Sequence, residues 1–205
     1  MEPDGNQLIR IGLTHFPLVS LGPGLRLGIW LAGCPLRCNG CIAPEWQPMD
    51  SGYQTTVTEL LEELQPVLHE VDGVTLSGGE PFAQPEGLSA LLRELRQDGI
   101  TDIMAYSGYQ IEQLHQSAPE TLALLDALVD GPFEAELPTD SPWRGSANQR
   151  LHILTAAPAL RQRYNQFEKY TPASRLLQCV PRPGGAVVIG IPRPSDLEEL
   201  RHGTL

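Results

Sequence analysis

Strand-like and helix-like segments alternate along the first two thirds of the chain, and this order constrains the fold more than any other feature. The predicted strands are residues 25–32, 73–76 and 100–106, and the predicted helices are residues 57–70, 85–97 and 119–129. Strands that alternate with helices form parallel sheets with helical crossovers. The sequence therefore predicts an α/β fold.

The last third of the chain is less regular. Residues 133–137 and 151–154 are predicted as short strands, residues 158–168 as a helix, and residues 175–180 and 186–191 as a hairpin with a Pro183-Gly184-Gly185 turn. Residues 1–24 contain no pattern that predicts an element. No segment is long and polar enough to act as a linker, so we expect residues 1–205 to form a single domain with an irregular C-terminal part.

The composition disfavours two classes of partner. The formal net charge is −11, with 25 acidic against 14 basic residues, and binding to nucleic-acid phosphates depends on Lys and Arg. No apolar run approaches the ~20 residues that span a bilayer. The first residues, Met1 to Gly5, are acidic and polar, unlike a secretory signal. We expect a cytoplasmic protein that binds neither nucleic acid nor membrane.

Three of the four cysteines lie within eight residues, in the segment C-P-L-R-C-N-G-C that directly follows the first predicted strand. Thiolates at Cys34, Cys38 and Cys41 would hold three irons of a [4Fe–4S] cluster, whereas ferredoxins use four cysteines. The fourth iron would then have an open coordination position. The amino and carboxylate groups of S-adenosylmethionine (SAM) can fill that position.

The cysteine pattern allows two other interpretations. A structural zinc site would use paired C-x2-C knuckles or a nearby pair of histidines, and the nearest histidines, His15 and His69, lie at neither spacing. A non-catalytic iron–sulfur electron carrier would need Cys179 as a fourth ligand. A lone cysteine in a strand is more often buried without a ligand role, and we expect this of Cys179.

The cysteine segment resembles the signature of the radical SAM superfamily, and two further motifs strengthen the resemblance. Gly78-Gly79-Glu80 is similar to the motif that contacts the SAM amino group, and Tyr106-Ser107 ends the next predicted strand. All three motifs follow the C-terminal end of a strand, the edge at which β/α barrels bind ligands. The resemblance implies a partial (β/α) barrel with parallel strands, in which Gly78, Gly79, Glu80, Tyr106 and Ser107 bind SAM.

A more specific resemblance is to the activases of anaerobic ribonucleotide reductase. It is carried by Ser107-Gly108-Tyr109, by Asp130-Gly131-Pro132-Phe133 and by the R-G-S-A-N-Q-R segment at residues 144–150. The resemblance implies that a radical derived from SAM abstracts hydrogen from a glycine Cα of a partner, a glycyl radical enzyme. It also implies an electron donor such as flavodoxin or ferredoxin.

The chain departs from the family's sequence pattern at identifiable positions, and these departures leave alternative residue roles and an alternative function open. Gly40 replaces the aromatic residue that often precedes the third cysteine, and Trp46 is one candidate to take its place. Asn148, Gln149 and Arg150 would otherwise only cap and hydrogen-bond a loop beside the barrel, with Arg150 in a salt bridge. A radical SAM enzyme acting on a small molecule, as 7-carboxy-7-deazaguanine synthase does, or on a peptide is the alternative function.

Overall fold

A seven-stranded sheet with the order β3-β1-β2-β4-β5-β6-β7 forms the centre of the computed structural model, which describes residues 6–168, 176–182, 185–193 and 196. Its strands are β1 (Leu8–Leu18), β2 (Arg26–Leu31), β3 (Tyr53–Thr56), β4 (Gly73–Gly78), β5 (Ile103–Tyr106), β6 (Ala127–Asp130) and β7 (Arg150–Ile153). The helices are α1 (Val57–Leu68), α2 (Pro85–Gln97), α3 (Ile111–Ser117), α4 (Pro119–Leu122) and α5 (Pro158–Glu168). A separate hairpin consists of β8 (Gln178–Arg182) and β9 (Gly185–Ile189).

The middle of the sheet is parallel, as the sequence predicts. Strands β2, β4, β5 and β6 run parallel to one another, while β1, β3 and β7 pair antiparallel at the two edges. The sheet is open, because β3 and β7 end the strand order without pairing to each other. The predicted α/β class is confirmed.

The first two predicted helices form close to their expected limits. Thr56 caps α1, since its side chain accepts a hydrogen bond from the amide of Glu59 and the Glu59 carboxylate accepts one from the Thr56 amide. Pro66 lies inside the last turn of α1, which ends at Leu68, two residues before the predicted end. Helix α2 begins with Pro85 at its first turn and covers the predicted range.

The predicted helix at residues 119–129 is wrong. Only Pro119–Leu122 is helical, and Ala127–Asp130 forms β6, with all four residues buried. A strand covered on both faces is continuously apolar, and such a run cannot be told from a buried helix by its periodicity. Asp126 lies between α4 and β6. Its carboxylate accepts hydrogen bonds from the amide of Ile103 and from Arg96, and these bonds hold the chain at the start of β6.

One more sequence prediction is wrong, one strand lies where none was predicted, and three predictions are supported. Residues 133–137 form turns rather than a strand, and residues 8–18, for which the sequence predicted nothing, form β1. The strand near residues 151–154, the helix at 158–168 and the C-terminal hairpin are present as β7, α5 and β8–β9. Residues 175, 183 and 184 of the predicted hairpin lie outside the described residues.

Apolar side chains cover both faces of the sheet. Alternate residues of β5 show this, since Ile103 and Ala105 belong to the cluster beneath α1 and α2, while Met104 belongs to a cluster with Trp143 and Tyr164. On that second face the hairpin contributes Ile189 to a cluster with Trp30. Within the described ranges, no helix has the length and apolar character needed to cross a membrane.

Candidate functional site

The three sequence motifs lie together at one edge of the sheet. Leu31 at the end of β2 pairs with Gly78 at the end of β4, and β5 lies beside β4 in parallel register. The cysteine segment, the glycine turn and the Tyr106-Ser107 pair therefore leave the sheet at its C-terminal edge. All eight predicted site residues line one cavity there: Cys34, Cys38, Cys41, Gly78, Gly79, Glu80, Tyr106 and Ser107.

The cysteine loop is anchored by backbone hydrogen bonds. The amide of Cys34 donates to the carbonyl of Gln47 at 3.0 Å, and the Gln47 side chain donates back to the carbonyl of Cys38 at 3.4 Å. The Cys41 amide donates to the Cys38 carbonyl at 3.3 Å. Burial raises the pKa of the Cys34 thiol above its ordinary value.

The three thiols suit an iron–sulfur cluster in number and chemistry. Soft thiolates are the protein ligands of such clusters, and each thiolate binds a different iron, so the sulfurs need not converge on one point. In the part of the chain that the structure describes, no group of three or more His, Cys, Asp or Glu side chains is arranged around a single ion.

Cys179 corrects one sequence expectation. It lies in β8 as predicted, but its side chain is exposed rather than buried. The residues that line the cavity include the other three cysteines and not Cys179. Three cysteines, Cys34, Cys38 and Cys41, therefore line the cavity.

The glycine turn packs on the backbone that leads into the cysteine loop. Gly78 has φ +108°, and a β-carbon there would collide with the carbonyl oxygen of Leu31. A β-carbon at Gly79 would collide with the carbonyl oxygen of Gly33, which also accepts a hydrogen bond from the Glu80 amide at 2.9 Å. Side chains are excluded from both positions, so a ligand in the cavity can approach the backbone closely.

Glu80 joins the turn after β4 to the turn after β5. Its side chain is 1% exposed, and its Oε1 accepts hydrogen bonds from the Phe82 amide at 3.0 Å and the Ser107 hydroxyl at 2.9 Å. Its Oε2 accepts from the Gly108 amide at 2.7 Å. Burial raises the pKa of Glu80 to about 7, although these hydrogen bonds act to lower it. One lone-pair position, on Oε2, is left for a further donor.

Residues 144–150 hydrogen-bond a neighbouring loop, as one of the sequence alternatives holds. The Gln149 side chain donates to the Gly131 carbonyl at 3.0 Å and accepts from the Gly145 amide at 2.7 Å. The Asn148 side chain donates to the Pro132 carbonyl at 2.7 Å. Gln149 itself lines the cavity.

Arg150 forms the salt bridge that this alternative includes. Its Nε donates to Asp130 at 3.1 Å, and its Nη1 donates to Glu112 at 3.0 Å. Burial acts to raise the pKa of Asp130, but hydrogen bonds from Arg150 and the Ile111 amide, together with His152 Nε2 3.1 Å away, outweigh it and hold the pKa below its ordinary value. The pKa of Glu112 is likewise lowered, mainly by its hydrogen bond with Arg150.

Apolar residues complete the cavity, and of these the sequence analysis singled out only Trp46. They are Leu13, Leu21, Trp30, Trp46, Val187, Val188, Ile189 and Ile191. The hairpin is placed there by Gln178, whose side chain donates to the Pro17 carbonyl at 2.7 Å and accepts from the Val19 amide at 2.8 Å. No local signal connects residues 178 and 17, which lie far apart in sequence.

The iron–sulfur class of the protein follows from these observations and from one family model. That model, described as a 4Fe-4S single cluster domain, matches residues 20–152, and the chain belongs to this family. The match covers the cysteine loop, the glycine turn and the segment at residues 144–150.

Comparison with individual proteins narrows the class. The chain is 32% identical over 150 residues to the anaerobic ribonucleoside-triphosphate reductase-activating protein of Vibrio cholerae, covering 69% of this chain and 96% of that protein. It is 30% identical over 141 residues to the protein of the same name from Escherichia coli K12, covering 65% and 91%. It is 36% identical over 110 residues to the pyruvate formate-lyase-activating enzyme of Clostridium pasteurianum, covering 51% and 46%.

These relatives confirm the resemblance to radical SAM activating enzymes, whose cofactors are a [4Fe–4S] cluster and SAM. Among solved structures, QueE from Escherichia coli is similar over 52% of this chain and 55% of its own, with 18% identity and a TM-score of 0.46.

Proposed function

We propose that this protein activates a glycyl radical enzyme of the anaerobic ribonucleotide reductase kind by reductive cleavage of SAM. The observation that carries the proposal is the convergence of Cys34, Cys38, Cys41, the glycine turn and Ser107 on one cavity. The names of the relatives supply the partner class.

The cysteines would hold the cluster, which when reduced supplies the electron that splits SAM into methionine and a 5′-deoxyadenosyl radical. That radical would take a hydrogen atom from a glycine Cα of the partner, which would leave 5′-deoxyadenosine and a glycyl radical. In this proposal the chain's own residues bind and orient SAM and shield the cavity from solvent. Gly78 and Gly79 would expose backbone carbonyl groups to the SAM ammonium group, and the free position on Glu80 Oε2 is available to it as an acceptor.

Tyr106 and Ser107 would act from the end of β5. The Ser107 hydroxyl donates to Glu80 and accepts from the Tyr109 amide at 3.1 Å, so it fixes both the glutamate and the turn that follows β5. Tyr106 packs with the apolar residues beneath the hairpin. We assign Ser107 to the support of Glu80 and Tyr106 to the wall of the SAM site.

Three further features belong to the same proposal. Residues 1–205 act as a single radical SAM domain, the protein works in the cytoplasm, and flavodoxin or ferredoxin supplies the electron. The single domain is supported by the continuous sheet that joins β3 to β7 and by the hairpin that packs on it.

The test is an anaerobic assay of the iron-reconstituted protein with SAM and dithionite, following 5′-deoxyadenosine by chromatography. We expect the wild type to form 5′-deoxyadenosine and Cys38→Ala to form none, while Cys179→Ala, the matched control, behaves as wild type. Addition of anaerobic ribonucleotide reductase should then give a glycyl radical signal by electron paramagnetic resonance. Failure of a wild-type protein with a complete cluster to cleave SAM would refute the proposal.

A further inference from the structure

Phe133 faces the position at which this chain lacks an aromatic residue. A β-carbon at Gly40, directly before the third cysteine, would lie 3.7 Å from Cε1 of Phe133. Phe133 also lines the cavity with the three cysteines. The ring therefore lies beside the cysteine loop although it comes from the segment that follows β6.

A second glycine leaves room for the same ring. A β-carbon at Gly145 would lie 2.9 Å from Cδ2 of Phe133 and 3.2 Å from Cδ1 of Ile42, the residue after the third cysteine. A side chain at Gly145 would displace the Phe133 ring from this position. Gly40 on one side and Gly145 on the other thus define the place of the Phe133 ring.

The backbone on both sides of Phe133 is held by the segment at residues 144–150. Gln149 and Asn148 bind the carbonyls of Gly131 and Pro132, as described above. On the other side, the Glu134 amide donates to the hydroxyl of fully buried Ser146 at 3.1 Å. The motif therefore fixes the direction of one aromatic side chain.

Trp46, the candidate suggested by the sequence, packs elsewhere. A β-carbon at Gly12 would lie 2.6 Å from Cδ2 of the Trp46 ring, so the indole rests on β1. Phe133 instead follows β6, two strands from the glycine turn that ends β4.

We propose that Phe133 is the aromatic wall against which the purine of SAM packs, and that Gln149 is the residue that positions it. The inference rests on the proposed function, because it requires SAM in the cavity. It assigns a role to the motif at residues 144–150 and names the residue that compensates for Gly40.

The test measures SAM binding by the change it causes in the paramagnetic resonance spectrum of the reduced cluster, together with iron content and thermal stability. A base stacked on an aromatic ring loses that contact when the ring is removed, so Phe133→Leu should weaken SAM binding by about tenfold or more. Phe133→Tyr should restore the affinity, since it keeps the ring. Trp46→Leu is the comparison variant, because Trp46 is the aromatic residue that the sequence suggested for this role.

A double-mutant cycle tests the positioning role. Gln149→Leu should weaken SAM binding on its own, and adding it to Phe133→Leu should cause no further loss, because Gln149 acts through the ring. Additive losses would refute the role of Gln149. If SAM binding is unchanged in Phe133→Leu, or is lost only in Trp46→Leu, the role of Phe133 is refuted. The proposed function still stands in that case, provided that the wild type binds SAM. A wild type with a complete cluster and no SAM binding would overturn both.

Discussion

Arg26, at the start of β2, is a fully buried charge surrounded by partners. Its guanidinium donates to the Asp102 carboxylate at 2.6 Å, to the Thr75 hydroxyl at 2.6 Å and to the Val74 carbonyl at 2.7 Å. The Tyr164 hydroxyl donates to the other oxygen of Asp102 at 2.6 Å. The network ties β2 and β4 to α5 beneath the cavity.

Loss of Arg26 should destabilise the fold strongly. Arg26→Ala leaves the Asp102 charge buried without its partner, which costs about 3–5 kcal/mol of the free energy of unfolding. Arg163→Ala is the matched control, because Arg163 is partly exposed and lies 3.7 Å from exposed Asp72, so it should cost less than about 1 kcal/mol. Equal losses for the two variants in urea denaturation would contradict this account.

Asp130 gives the fold an acid-sensitive stabilisation. The pKa of Asp130 in the folded protein lies below the unfolded value of about 3.9. Its contribution to the free energy of unfolding is therefore complete above the unfolded pKa and is lost as pH falls through the folded pKa. Arg150→Gln removes a main cause of the lowered pKa, so acid unfolding should begin at a higher pH. Circular dichroism against pH measures the midpoint.

The control for this titration is Arg161→Gln. The Arg161 side chain donates to the backbone carbonyls of Ile153 and Thr155. Because neither of these partners is a carboxylate, removal of Arg161 breaks no salt bridge among these contacts. The acid midpoint should stay at the wild-type value in this variant. The same midpoint in Arg150→Gln and wild type would show that Arg150 does not stabilise the Asp130 anion.

At the scale of elements, Gln178 is the main polar anchor of the hairpin. Besides its bonds to Pro17 and Val19, its side chain accepts from the Ser20 hydroxyl at 3.2 Å, and that hydroxyl also lies 3.4 Å from the Ile189 carbonyl oxygen. These contacts join β8 and β9 to the segment after β1, above the apolar side of the cavity.

Gln178→Ala should loosen the hairpin without unfolding the sheet. Each intramolecular hydrogen bond contributes about 0.5–1.5 kcal/mol, so the amides of Val187 and Ile189 should exchange about ten times faster or more in hydrogen-exchange measurements. Gln97→Ala, at the exposed end of α2, should leave them unchanged. If exchange in β9 does not respond to Gln178→Ala, the hairpin is held by its apolar contacts alone.

Helices and strands that have a cap or an apolar periodicity in their own sequence could be predicted. Those that depend on contacts with residues far away in the sequence could not. The Thr56 cap and the apolar face of α1 lie within one stretch of sequence, so the helix could be placed closely. Strand β6 could not, because burial on both faces removes the period-two pattern. Residues 133–137 alternate apolar and polar side chains as a strand does, but the Glu134 amide hydrogen-bonds to Ser146 and the segment forms a loop with a turn.

Across the whole molecule, the site depends on contacts that no local motif contains. Spacing identified the cysteines and the glycine turn, because each motif follows its own strand. The placement of Phe133 by Gln149 and the closure of the cavity by the hairpin arise only when β6, β7 and β9 come together around the C-terminal edge. Sequence reasoning therefore found the polar side of the cavity but, apart from Trp46 and Phe133, missed its apolar side.

The central claim is that the three motifs form one site in which SAM meets the cluster. The most direct test is electron–nuclear double resonance on the reduced, reconstituted protein with SAM labelled with ¹⁵N at its amino group. We predict a ¹⁵N coupling to the cluster in the wild type and its loss in Gly79→Val, where a side chain would collide with the Gly33 carbonyl. A complete cluster that shows no ¹⁵N coupling at saturating SAM would contradict the account.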